Sequence, residues 1–563
     1  MPEVDKLLRF WGIDVEEWRV KDLRRVLAPQ SSSPGIRIIA AAAAIEPLLC
    51  SLGEDNALRR DWSRSVHSVF IHGGEQEIAL AQVAELVAGP GRLLSLNGND
   101  VEFVVTDTAK NISNVMSGVR LRRLEQGCDR VWSSWRADVI PLLTATGGAA
   151  LLLGEYHSVP VFISTARAVI DLDSPLVTPN FDVRKHATEC LPLVLYIKWA
   201  FPANAPVSNA NACFVIDDPL LRPRHGFLRF ESLAQMMRRE GFSATVAFVP
   251  WNRRRTDEAV ARLFRNQPDQ LSLCIHGCDH TKAEFGCRKG EGLVHKVCEA
   301  INRMDEHAVR TGIGYDRVMV FPQGIFSEDT LQVLKDHNFV AAVNTDLRST
   351  DGKPLKLRDA WDTARRGHGF AVFGRRYASD GIENFAFDML LGKPCLIGSH
   401  HDLYRDNNVH AIELVRRLNA LNCALSWHTL GEVIRRSYRC REAGPERVDV
   451  EMFGAEVRLQ NQAATKRQFV FTRREPQPAA VAAVHCDGAE IRWQPGGERI
   501  TFSRSLGAGE TRLFHVSVKE DSTNGAVSDS LIYRFKTAIR RYAAEARDNH
   551  LAPLFRRFSR ADL

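Results

Sequence analysis

Cys213-Phe-Val-Ile-Asp217-Asp218-Pro219 opens a series of four short apolar runs that decides the fold. The others are Leu273-Cys-Ile-His276-Gly-Cys-Asp-His280, Val320-Phe-Pro-Gln-Gly324 and Cys395-Leu-Ile-Gly-Ser-His400-His401-Asp402. Each has the length of a buried strand, and all but the third run directly into carboxylates or imidazoles. The C-terminal ends of parallel strands are where α/β enzymes hold their chemistry. An acidic pair, a His-x-x-x-His and a terminal His on successive strand ends outline a mononuclear metal hydrolase.

Working outward, short strands alternate with helices throughout this region. A helix over Phe230–Glu240 stops at Gly241, a good C-terminal signal, and Ser327 is placed to cap another. Strict alternation predicts a parallel sheet closed into a (β/α) barrel, over residues 206–442. Before it, residues 1–205 mix helical and strand periods and read as an α/β or α+β domain of unknown role. They begin with a helical lead over 1–28 and a turn at Gln30-Ser-Ser-Ser-Pro-Gly35. After it, residues 445–520 alternate apolar and polar residues between Gly/Pro turns, which is the pattern of a β-sandwich. The last segment, 527–563, spaces Leu531, Phe535, Ile539 and Tyr542 as one face of a basic amphipathic helix. Such a helix can make peripheral contact with an anionic membrane or dock on its own protein, and docking is the favoured expectation.

The 563 residues exceed what one core can hold, and 45% hydrophobic with 25% charged residues is ordinary for globular chains. A net charge of +6 argues against a nucleic-acid partner. The twelve cysteines follow no even spacing, the N-terminus has no basic-then-apolar leader, and no apolar run is long enough to span a bilayer. The expectation is a cytoplasmic, reduced protein. Cys274 and Cys278 flank the histidines, yet their spacing suits core packing better than zinc ligation. His72, a lone His before a Gly turn, reads as structural.

Adjacent carboxylates at a strand end point in different directions, so one of Asp217 and Asp218 can bind a metal while the other stays free as a base. Two imidazoles four residues apart, His276 and His280, can converge on one ion. In this order, with Phe-Pro-x-Gly and His-Asp, the residues resemble the polysaccharide deacetylases with a NodB-homology domain (carbohydrate esterase family 4) over residues 212–440. The resemblance implies a distorted (β/α) barrel, one divalent metal ion, usually zinc, and removal of an N-acetyl group from an amino sugar or acetylated glycan. It assigns Asp217 as base, Asp218, His276 and His280 as metal ligands, the Gln323 amide as an oxyanion donor, and a strand-end His as acid. Of His400 and His401, the His-Asp order favours His401. The family's Arg that braces the base is Val320 here, so Arg222, Arg224 or Arg253 would have to replace it. A cytoplasmic address makes a nucleotide-linked, lipid-linked or small acetylated precursor the expected substrate.

Two alternatives stand beside this expectation. One is a non-catalytic protein on the same barrel that binds a glycan or partner. The other is a glycosidase pairing the acidic doublet with Asp346. The oligomeric state is not legible.

Overall fold

The computed structural model describes residues 2–19, 22, 27, 35–98, 100–125, 127–204, 210–519 and 529–551. Within the expected helical lead, Pro2–Phe10 forms a helix. It ends at Gly12, whose φ of +66° lets the chain reverse, and residues 13–19 carry no regular structure. The turn expected at residues 30–34 lies outside the described residues.

The N-terminal region holds a nine-stranded mixed sheet. Ile36–Ala41, Val66–His72 and Val159–Ser164 run parallel, and antiparallel strands continue from Gly148–Tyr156. Helices Ala42–Glu54 and Glu77–Ala88 cover one face, burying Ile45, Leu49, Leu80 and Val83 against Val69, Ile71 and Ile163. The other face joins the central core through Phe70, Phe162 and the buried helix Ala187–Ala200.

The central region is organised on a ten-stranded sheet. Its parallel strands run in space in the order Phe370–Gly374, Ala341–Asn344, Asp316–Val320, Leu271–His276, Ala244–Phe248, Asn211–Asp217, Cys395–Ser399 and Arg376–Tyr377. Asn211–Asp217, Ala244–Phe248 and Cys395–Ser399 are buried at every position, as strands covered on both faces must be. Phe370–Gly374 and Arg376–Tyr377 are parts of one extended segment that pairs with opposite ends of this order. Gly241 (φ +70°) terminates Phe230–Glu240, and the Ser327 hydroxyl accepts the Thr330 N–H to start Glu328–Asp336.

Tyr438–Glu442, inside the interval expected to belong to the barrel, pairs instead with Arg447–Met452 in a five-stranded C-terminal sheet. A second sheet of four strands faces it. Val450, Phe471 and Phe502 from the first pack with Val457, Val484 and Phe514 from the second in one core. A fully buried Glu475 paired with Lys335 fastens this unit to the central region.

The helix Leu531–Ala546 then returns to the carboxyl ends of the central strands.

Candidate active site

Asn211–Asp217 delivers Asp217 in regular strand geometry, and the next residue leaves it abruptly. Asp218 has φ +75°, the left-handed region that a residue with a Cβ enters only under constraint. The turn aims the two carboxylates apart. Asp217 is 4% exposed and meets the Arg375 guanidinium face to face, with Nη1–Oδ1 at 2.7 Å and Nη2–Oδ2 at 2.5 Å. Burial pushes the Asp217 carboxyl up, but Arg375, with His276 and His400 beyond it, outweighs burial and holds it below the usual carboxylate range.

Asp218 turns to the histidines. Its Oδ1 lies 3.1 Å from His280 Nε2 and 3.7 Å from His276 Nε2. Two ligand atoms roughly 2.0–2.2 Å from one ion at tetrahedral angles stand roughly 3.3–3.6 Å apart, so these separations suit a single coordination shell. The donor chemistry fits as well. His276 Nδ1 lies 2.9 Å from the Val320 carbonyl oxygen; a proton held there leaves Nε2 as a lone-pair donor. For His280 burial outweighs Asp218 and holds the imidazole down to about 4, hence neutral near pH 7. Asp218 Oδ1 is a buried acceptor that receives no hydrogen bond among the described residues. The three side chains form a cluster able to bind a divalent metal.

The His280 loop is shaped by Glu284. Its carboxylate accepts the backbone N–H groups of Cys278, Asp279 and His280 at 3.0, 2.9 and 3.1 Å. Gly277 (φ +65°) permits the turn, since a Cβ there would meet Pro322 Cγ at 2.4 Å. His280 itself sits at φ +58°. Cys274 is an apolar core residue, and Cys278 is fully buried beside Glu299 and Arg303.

The two candidate acids part company. His400 Nε2 is 3.9 Å from Asp217 Oδ2, and its ring stacks on Tyr377. His401, the one favoured from sequence, faces the other way. It packs edge-on against His225 and stands 3.8 Å from Asp548, because the short helix His401–Tyr404 begins there and turns its side chain under Gly226. Gln323 occupies a left-handed turn (φ +59°) at the cavity edge. The cations expected to brace Asp217 are engaged elsewhere: Arg253 on Glu306, Arg222 near Glu545, and Arg224 on the Gly226 carbonyl. Arg375 fills that role. Asp346 binds Arg348, at 2.7 Å.

A cavity of about 360 Å³ opens on Asp218 and His280 and is roofed by the C-terminal helix. Arg541, 9% exposed, reaches to 3.9 Å from Asp218 Oδ1. Glu545 binds Arg255 at 2.6 Å, Asn549 Oδ1 accepts the Gly226 N–H at 2.7 Å, and the Tyr533 hydroxyl donates to Asp279 at 3.0 Å. Around the cavity, Arg541 Nε, Asn252 Nδ2 and both ring nitrogens of His225 are buried without hydrogen-bond partners among the described residues, as groups that take a polar ligand or water would be.

In a comparison with solved structures, polysaccharide deacetylases and family 4 carbohydrate esterases align with about 40% of the chain at low sequence identity and low TM-score. A family 4 carbohydrate esterase from Bacillus anthracis aligns at 12% identity and TM-score 0.27, over 41% of this chain and 85% of its own. The Streptomyces lividans family 4 carbohydrate esterase in complex with acetate aligns at 14% and 0.24, over 38% and 90%. A CE4 family pseudoenzyme from Bacillus anthracis aligns at 8% and 0.27, over 40% and 66%. No family model and no curated protein matches the sequence. The chain carries a metal-binding-capable Asp/His cluster at the strand ends of a parallel α/β sheet, with further sheet-rich units.

Proposed function

We propose that this protein is a metal-dependent hydrolase that removes an N-acetyl group from an amino sugar or a related acetylated precursor. The observation that carries this is the pairing of a ligand triad, Asp218, His276 and His280, with a separate carboxylate, Asp217, kept ionised by Arg375. A bound divalent ion, zinc by its nitrogen-rich donor set, would polarise the acetyl carbonyl and make a water molecule more acidic. Asp217 takes the proton from the attacking water. His400, whose Nε2 borders Asp217, gives a proton to the departing amine; it takes the acid role in preference to His401. The Gln323 backbone N–H is the candidate donor to the oxyanion. Arg541, Asn252 and His225 supply polar contacts to the sugar. In this proposal the ten-stranded sheet is a distorted barrel joined through residues 370–377, and the two C-terminal sheets form a β-sandwich.

The test is acetate release from a panel of N-acetylated sugars, free, nucleotide-linked and lipid-linked, with and without a chelator. Chelator-sensitive acetate release that Asp217→Asn abolishes while metal content persists supports the proposal. A metal-loaded protein inactive on the whole panel would favour the second reading, a non-catalytic glycan-binding protein. One observation speaks for that second reading: the guanidinium of Arg541 stands over Asp218 beneath a covering helix.

A further inference from the structure

The helix Leu531–Ala546 is docked by its polar side. Thr537 and Arg541 are its buried residues, and Tyr533, Arg541, Glu545 and Asp548 make the contacts to the body. Its aliphatic residues and Phe535 point the other way, while Tyr542 packs on Trp251 and Arg255 of the body. Leu531 is 81% exposed, Ile532 68%, Phe535 68% and Ile539 54%. At 100° per residue these four fall within an arc of roughly 100°, a continuous apolar stripe. Folding an amphipathic helix against its own protein ordinarily hides the apolar side. Here the arrangement is reversed, and a contiguous exposed patch of this kind marks an interaction surface.

We propose that this stripe docks on an anionic lipid bilayer. Charge selects the occupant. Lys536 and Arg540 border the stripe on one side and Arg534 flanks it on the other, while the acidic residues Asp529, Glu545 and Asp548 are turned inward onto Lys296, Arg255 and His401. The outward face therefore combines large apolar side chains with cations alone, the composition of helices that lie in the headgroup region of an anionic leaflet. A second copy of the helix is a poor occupant, since an antiparallel pairing of two such stripes would bring their cationic borders together. Docking in this orientation lays the helix between the bilayer and the cavity that its inward face roofs.

The test is co-sedimentation of the full-length protein with vesicles of phosphatidylcholine alone and of phosphatidylcholine with phosphatidylglycerol. The expected result is partition onto the anionic vesicles, weakened by high salt, and little onto the neutral ones. Phe535→Ser with Ile539→Ser, both solvent-facing, should lower that partition by at least about tenfold without changing thermal stability. Lys536→Glu with Arg540→Glu should abolish the preference for anionic lipid. No partition by the unmodified protein, equal partition by the serine variant, or salt-insensitive dimerisation that the serine variant removes would each overturn the proposal. Vesicle binding is read without reference to catalysis, so it stands or falls separately from the deacetylase proposal.

Discussion

Replacing Arg375 by methionine should strip the central strands of a buried, bidentate ion pair. Asp217 and Arg375 have side chains 4% and 3% exposed, and the two hydrogen bonds between them at 2.7 and 2.5 Å have no solvent to replace them. Removing one member of such a pair leaves an uncompensated buried charge and costs about 4 kcal/mol. Asp217→Asn should cost a similar amount, because the guanidinium is then the stranded group. The double variant removes both charges at once, so the singles should exceed it by about 3 kcal/mol in sum. A chain with several units need not unfold in one step. The read-out is therefore denaturant-dependent hydrogen exchange of peptides covering Asn211–Asp217 and Phe370–Tyr377, with peptides from Arg447–Val518 as an internal control. Costs that simply add, to within about 0.5 kcal/mol, or a loss under about 1 kcal/mol in Arg375→Met, would refute the view that this pair is a coupled buried unit.

The proposed ligand set predicts that His276→Ala loses bound divalent metal, measured by elemental analysis after dialysis; full retention would refute that assignment. Glu284→Gln removes one charged acceptor from the three N–H groups that shape the His280 loop, and metal affinity should fall by about tenfold or more by competition titration. Gly226→Ala forces a Cβ into the left-handed region and to 2.5 Å from His401 Nδ1; a loss of about 1–2 kcal/mol is expected in denaturant melts. Burial lowers His72 and His307 to about 4. Their folded pKa values thus lie below the unfolded ones, so the stability they permit is complete above roughly pH 6.5 and is lost as pH falls toward 4. At pH 5 each should cost about 2 kcal/mol. His307→Gln should recover that amount in the stability difference between pH 7 and pH 5, and an unchanged difference would contradict it.

The metal-capable cluster is legible because Asp218 and the His276–His280 pair sit at or just past the ends of apolar strands, and strand ends in a parallel sheet converge. Arg375 obeys the same rule, since it follows the apolar run Phe370–Gly374, but a cation at a distant strand end has no sequence proximity to Asp217 that would mark it as the brace. In Arg375-Arg376, alternation lets only one residue face the site, and Arg376 turns instead to Asp388 at 2.6 Å. Glu284 gives no pattern at all, because a carboxylate collecting backbone N–H groups depends on loop geometry. The reversal of the C-terminal helix could not be read from its spacing. Leu531, Phe535, Ile539 and Tyr542 define a face, and periodicity is silent on whether that face looks inward. The two-residue His-Asp pattern points to His401, whereas the helical turn starting at His401 leaves His400 as the ring beside Asp217.

Asp279, next to His280, binds Lys296 at 2.6 Å, Arg303 at 2.6 Å and the Tyr533 hydroxyl, and Lys296 also holds Asp529. The tail and the histidine-bearing loop therefore share one ionic knot. Ending the chain at Lys519 would do more than uncover the cavity, since it would also take two partners from the charges beside His280, a member of the metal-capable cluster. A shortened protein with altered activity would on that account report two changes at once, and point substitutions on the helix's outer face are the cleaner instrument.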